Sequence, residues 1–311
     1  MALKHVIIGG GTGYIGSALA FALRAEGATV SIISRKAKGP NQVSWEDVKK
    51  NGLPKDTTAV INVAGQNILD PTKRWGKDFK TEVWDSRVNT TRALAEAVKN
   101  SGAEVFATVS GVAYYKPNDK EWTEDDKCEK YDYLSELCHE WEAAADLPAD
   151  SKCRRVTVRS GVVLGRTGGM IKQAFIPFFL GLGGPIGVGT QPMPWIHIAD
   201  LVNLFKFSVK ETKVRGILNG VAPEIITNKE FTAEFAKALK RPAIIPLPEF
   251  VINLIFGGER AKVYFNREVL MRSGIGKKYP QTFLGEQVSW GYFTLKVIFH
   301  TPDRLFLKDR K

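Results

Sequence analysis

The sequence predicts an α/β protein, a Rossmann-type doubly wound parallel sheet with a smaller C-terminal substrate lobe, because short β-branched runs alternate with helical patterns and a glycine-rich turn joins the first run to the first helix. A third observation, a basic pair closing the second run, bears on which dinucleotide such a sheet would hold.

The first strand is His5-Val6-Ile7-Ile8, followed by Gly10-Gly11-Thr12-Gly13-Tyr14-Ile15-Gly16. The glycines serve a tight turn, a close backbone approach to a pyrophosphate, and helix-on-strand packing, in that order. The helix that follows has Ile15, Ala18, Leu19, Ala22 and Leu23 on one face and ends at Gly27, so strand, helix and the second strand (29–33) form one crossover. Its N-terminus offers unpaired N–H groups and a positive dipole end to phosphates. The motif therefore assigns Gly10, Thr12, Gly13, Tyr14, Ile15 and Gly16 to the cofactor.

Where an acid would accept from a ribose 2′-hydroxyl, this chain has Ser34-Arg35-Lys36. Arg35 can fork two N–H donors onto a 2′-phosphate and Ser34 can add a hydroxyl, so the expected cofactor is NADP. The third run (59–63) ends in the small residues of Asn62-Val63-Ala64-Gly65, suited to an adenine-ribose half lying close to backbone. A long helix is expected over about 75–100, a fourth strand at 105–109 and a fifth at 156–158.

After Val163 the chain turns glycine- and proline-rich, which suggests a second lobe. Residues 1–165 are read as the NADP-binding domain, with 197–222 returning to it. Residues 166–196 and 223–311 are read as the substrate-binding lobe and a divergent tail. The stretch 173–199 lacks charge over a membrane length, but its prolines and a Gly-Leu-Gly-Gly cluster make it a buried loop and broken helix. A helix at 201–208, a strand at 216–219 and a helix at 228–240 follow; beyond Arg272 periodicity fades.

Composition narrows the function. Forty-four Lys+Arg against 33 Asp+Glu leave +11. Such a balance suits an anionic ligand, a nucleic acid or an anionic membrane, but no nucleic-acid module accompanies it and no uninterrupted apolar span is present. Cys128, Cys138 and Cys153 match no metal template. Reduced thiols, together with a strand that starts directly after Met1-Ala2-Leu3-Lys4, give the expectation of a cytoplasmic protein with a small-molecule substrate and neither nucleic-acid nor membrane partners.

From the glycine turn onward the chain resembles the extended and atypical branches of the short-chain dehydrogenase/reductase superfamily, related to nucleotide-sugar epimerases, and within them epimerase-like family 39U. The likeness covers roughly residues 4 to 270 and rests on Ala64-Gly65-Gln66-Asn67-Ile68-Leu69, Ser110-Gly111-Val112-Ala113-Tyr114-Tyr115, Trp141-Glu142-Ala143-Ala144-Ala145, Val158-Arg159-Ser160-Gly161-Val162-Val163-Leu164-Gly165-Arg166 and Pro194-Trp195-Ile196-His197-Ile198. The resemblance implies an NADP-binding, oxidoreductase-like protein in which Ser34, Arg35, Val63, Ala64, Glu82, Arg87 and Val163 meet the cofactor. It also implies that the long helix and the one from about Tyr131 can pair in a homodimer.

In that superfamily a tyrosine is the general acid/base, a lysine four residues later assists it, and a serine or threonine orients the substrate oxygen. A phenol near pKa 10 works poorly at neutral pH without such a cation. Here Ser110 matches the serine, Tyr114 and Tyr133 are the candidate phenols, and Leu137 stands where the lysine belongs. The resemblance places Arg87 where relatives carry asparagine, close enough to restore some positive charge; five residues from Glu82, it is alternatively a salt-bridge partner. Cys138-His139 is not a thiol–base pair, since helix neighbours point apart. His197 and Glu136 are read as structural, Asp200 as a helix cap, and Phe175, Phe178 and Phe179 as lining of the second lobe. Two functions stay open: an NADP(H)-dependent oxidoreductase or epimerase, and an NADP(H)-binding sensor or scaffold without turnover.

Overall fold

The computed structural model describes residues 3–70, 72–223, 225–248 and 269–271. In chain order the elements are β1 (His5–Gly9), α1 (Tyr14–Ala25), β2 (Thr29–Ser34), β3 (Gln42–Ser44), α2 (Trp45–Asn51), β4 (Ala59–Asn62), α3 (Lys77–Trp84), α4 (Thr90–Lys99), β5 (Val105–Gly111), β6 (Asn118–Trp122) and α5 (Tyr133–Ala143). Then come β7 (Arg154–Ser160), β8 (Val162–Leu164), α6 (Gly169–Phe179), β9 (Pro192–Met193), β10 (Trp195–His197), α7 (Ile198–Lys210), β11 (Gly216–Gly220), β12 (Ile226–Thr227), α8 (Asn228–Leu239) and β13 (Val269–Met271).

Seven strands form one sheet in the order β3-β2-β1-β4-β5-β7-β11. Every pair in it is parallel. Strand order reverses between β1 and β4, and in open α/β sheets the ligand crevice lies at the carboxyl ends of the strands flanking that point. Alternation along the strands puts Val6, Ile8, Ala59 and Ile61 in a core with Leu19 and Leu23 of α1 and Leu201, Leu204 and Phe205 of α7. Ile7, Ile33, Val60 and Phe106 lie in a second core with Val48 of α2 and Leu94 and Val98 of α4. Both faces are thus covered, as a parallel sheet requires.

The later residues build a separate apolar cluster: Leu164, Ile171 and Phe178 of the β8–α6 segment close on Trp195, Phe231 and Phe235. β8 pairs with β10, and β9 with β12. β6 pairs with β13 in a further two-stranded sheet. The expected fading of pattern beyond Arg272 lies outside the described residues.

Three expectations change. The stretch expected to be loop and broken helix begins inside α6, which runs eleven residues with Pro177 in its last turn. Pro177 has no N–H to give the Gln173 carbonyl, and the helix ends three residues later at Leu180, as the break that a proline imposes requires. The single long helix over 75–100 is interrupted by a π-helical turn at Asp85–Asn89. And α7 is capped by His197, whose Nδ1 accepts from Ala199 N–H at 3.3 Å, rather than by Asp200.

Candidate functional site

The glycine turn is shaped by close contact. Gly10 has φ +75°, and its N–H donates to Ile33 O at 3.0 Å. A Cβ on Gly10 would lie 2.6 Å from Ala64 Cα, and one on Gly16 would collide with Gly10 O, so β1, the end of β4 and the first turn of α1 meet without room for side chains. Gly13 caps α1 with backbone alone; no side chain accepts from its first N–H groups. Thr12 and Gly13 are exposed, and Ile15 is half-buried against the core. The Tyr14 ring fills the space left by Gly168, where a Cβ would overlap it, and so joins the turn to the start of α6. Val163 reaches the same corner: a Cβ on Gly169 would lie 2.8 Å from its carbonyl oxygen.

At the carboxyl end of β2, Ser34 is 6% exposed and its Oγ has no hydrogen-bond partner among the described residues. A buried hydroxyl in that condition costs free energy unless something else bonds it. Arg35 beside it is exposed and forms no ion pair among the described residues. At the end of β4, Val63 N–H donates to Gly9 O at 3.0 Å and Ala64 N–H to Asn62 Oδ1 at 3.2 Å, holding both against the turn.

Arg87 lies in the π-helical turn, a feature often found at functional sites. Its Nη1 donates to Val83 O at 3.2 Å, its Cζ lies 5.2 Å from the Trp141 ring, and a Cβ on Gly65 would be 3.1 Å from that Cζ. Burial lowers the guanidinium to about 10, with Cys138 and Tyr133 acting in the opposite sense. The Glu82–Arg87 pair that the spacing allowed does not form. Exposed Glu82 bonds Lys73 at 3.1 Å instead.

At the carboxyl end of β5, Ser110 is 3% exposed and its Oγ likewise has no partner among the described residues. A short 3-10 turn, Val112–Tyr114, then presents Tyr114, whose hydroxyl has no hydrogen-bond partner among the described residues. The other candidate phenol is committed elsewhere: Tyr133 Oη donates to Lys80 O at 2.7 Å, and its ring meets Trp75 edge-on at 5.6 Å. Leu137 is 2% exposed, part of the hydrophobic core. Tyr115 is fully buried, and that burial raises its phenol to about 12, despite Arg159 nearby.

Sequence reasoning missed a buried polar network beneath these groups. Arg159 of β7, paired in register with Ser110, forks onto Glu142 of α5 with both contacts at 2.8 Å and donates to Tyr115 Oη at 2.7 Å. Tyr115 Oη in turn donates to Asn219 Oδ1 at 3.0 Å. The available signal was an arginine on the strand directly after the alternating run Val156-Thr157-Val158. Of the remaining candidates, Cys138 packs under Gly111 and Phe178 is buried in the second cluster, whereas Phe175 and Phe179 stay exposed. No group of three metal-ligating side chains occurs among the described residues.

Sheet order, glycine turn and serine–tyrosine step define the class: a dinucleotide-binding α/β protein of the short-chain dehydrogenase type. The chain belongs to the NAD dependent epimerase/dehydratase family, whose family model matches residues 6–219. It is 47% identical to the epimerase family protein SDR39U1 of Bos taurus over 284 residues, and 47% identical to that of Homo sapiens over 283; each alignment spans 90% of this chain and 96% of the relative. Its fold is similar to the crystal structure of human epimerase family protein SDR39U1 (isoform 2) with NADPH, with TM-score 0.87 and 42% identity over 95% of this chain and 98% of that one. No helix among the described residues is long and apolar enough to cross a membrane.

Proposed function

We propose that this protein is an NADPH-dependent oxidoreductase or epimerase-like enzyme acting on a small polar carbonyl or sugar-nucleotide-like substrate. The observation that carries the reading is the pair of buried serine hydroxyls without a hydrogen-bond partner among the described residues, Ser34 beside exposed Arg35 and Ser110 beside Tyr114.

The residues fit the dinucleotide. Gly10, Thr12, Gly13, Tyr14, Ile15 and Gly16 would hold the diphosphate against uncapped N–H groups of α1, where the helix dipole favours anions. Ser34 and Arg35 would take the 2′-phosphate. Val63 and Ala64 would back the adenine ribose, and Val163, Arg87 and Glu82 the nicotinamide half. The cofactor's binding in the related human crystal structure supports this choice.

Bound NADPH supplies a hydride to a carbonyl carbon. Ser110 orients the carbonyl oxygen and Tyr114 gives it a proton. Tyr133 has the weaker claim, because its hydroxyl is spent on Lys80 O. Tyr115 stays neutral and buried, so it takes no part. Leu137 in the lysine position favours the alternative of an NADPH-binding protein without turnover. Mixing the protein with NADPH and a panel of carbonyl compounds and following the reduced nicotinamide's absorbance separates the two: oxidation with any compound supports the enzyme, binding without oxidation for all of them supports the alternative.

The same reading extends to setting. Three free cysteines among the described residues support a reducing, cytoplasmic location. A homodimer through the faces of α4 and α5, with no nucleic-acid or membrane partner, completes it; sedimentation as a monomer at all concentrations would remove the dimer.

A further inference from the structure

The lysine place of the family motif, four residues after Tyr133, holds Leu137, and Tyr114 has no lysine four residues on, yet the structure puts a cation against Tyr114. The Arg159 Cζ lies over the Tyr114 ring, 3.4 Å from its centroid. Arg159 is 3% exposed, and its fork onto Glu142 leaves no freedom to rotate away. Burial works to depress this guanidinium, but the Glu142 carboxylate and Tyr115 more than offset it, so it stays protonated. His139 stacks on Tyr114 at 4.2 Å and 20°. Two groups this close to one ring occupy opposite faces. His139 is itself fixed, with ring nitrogens 2.8 Å from Ser135 O and 2.7 Å from Cys128 O. The turn's backbone is tied by Tyr131 Oη, which donates to Tyr115 O at 2.8 Å.

We propose that Arg159 and His139 are the positioning residues of Tyr114, and that Arg159, held by Glu142, supplies the positive charge that Leu137 does not. This rests on the reading of Tyr114 as the proton donor. The ring is gripped on both faces while its hydroxyl, in the turn that follows Ser110, is left to act. A cation under the ring face counters negative charge that develops on the phenol as its proton leaves. The lysine of the family motif reaches its tyrosine along one helix; here the charge comes from the neighbouring strand, which explains how the helix position could become apolar without emptying the site of charge.

The experiment combines ring-labelled tyrosine NMR with kinetics. Removing Arg159 alone would strand a buried Glu142 carboxylate, so the informative variant is the double Arg159→Met/Glu142→Met, which removes both charges together. In the native protein the symmetry-related ring carbons of Tyr114, assigned with Tyr114→Phe, are expected to give separate signals because the clamped ring flips slowly. They are expected to merge in the double variant and in His139→Ala, and to stay separate in Arg159→Lys. In NADPH-dependent reduction of phenanthrenequinone, the double variant is expected to lose about tenfold in kcat, the scale of one desolvated cation–π contact, with KM for NADPH within about twofold; Arg159→Lys is expected to recover part of that loss. Merged signals in the folded native protein, or an unchanged kcat in the double variant, would overturn the proposal. If the native protein oxidises NADPH with none of the carbonyl panel, the enzyme reading fails and the ring-flip result alone decides the clamp.

Discussion

Replacing Gly10 with alanine puts a methyl group where three elements already touch. At φ +75° an L-residue costs about 1–2 kcal/mol. The new Cβ would lie 2.6 Å from Ala64 Cα and 2.8 Å from Ala64 N, both backbone atoms that cannot swing aside. Overpacking of that kind adds about 1–3 kcal/mol. The sum, about 2–5 kcal/mol, corresponds to a fall of about 3–8 °C in Tm for a chain of this size. Gly27 is the matched control: its φ is +86°, but nothing lies within 4 Å of its Cβ, so Gly27→Ala should lose only the backbone part. NADPH affinity should separate the two further. Gly10→Ala displaces the diphosphate cradle and should weaken binding by about tenfold or more, while Gly27→Ala, at the far end of α1, should leave it intact. Thermal melts without ligand and fluorescence titration with NADPH read both quantities. Equal Tm losses in the two variants, or native NADPH affinity in Gly10→Ala, would refute the close-approach argument.

Three further outcomes are expected. Arg35→Asp replaces a charge-assisted fork with a repelling carboxylate and should weaken NADPH by about 2–4 kcal/mol while changing NADH little, by calorimetry; equal loss of both would remove the phosphate pairing. Tyr114→Phe should abolish any carbonyl reduction with little change in Tm, whereas Tyr133→Phe should leave activity and lower stability by about 1–2 kcal/mol through the lost bond to Lys80 O; the reverse pattern would exchange their roles. Burial raises Asp200 from 3.8 to about 6, so the folded state holds that proton more tightly than the unfolded chain. Stability contributed by this group is therefore full below about pH 4 and is lost as pH rises through about 6, by about 2–3 kcal/mol, and Asp200→Asn should flatten that part of the stability–pH curve in denaturant titrations.

The cofactor half of the crevice was legible because its elements are local. Periodicity locates β1, α1 and β2, and the glycine spacing and Arg35 sit at their joints, so one short window holds the whole pattern. β3 and α2 escaped notice: three residues and seven residues are too short for periodicity, and only the Ser44–Asp47 capping box marks them. α6 was hidden by Pro177 and by apolar residues on every face, which removes the polar stripe that identifies a surface helix. The reaction end was half legible. Ser110 and Tyr114 lie four residues apart and follow a motif, but Arg159, Glu142 and His139 come from a different strand and helix, and only tertiary packing brings them to the Tyr114 ring. For the same reason Arg87 and Glu82 read as a pair in sequence, whereas the π-helical turn sends one to Gly65 and the other to Lys73.

The central claim is that the Ser34 hydroxyl and the Arg35 guanidinium, without partners among the described residues, would take the 2′-phosphate of NADPH. Calorimetric titration of the native protein with NADPH and then with NADH tests it most directly. NADPH should bind more tightly by at least about 2 kcal/mol, the worth of one or two charge-assisted hydrogen bonds. Equal affinities for the two dinucleotides would contradict it.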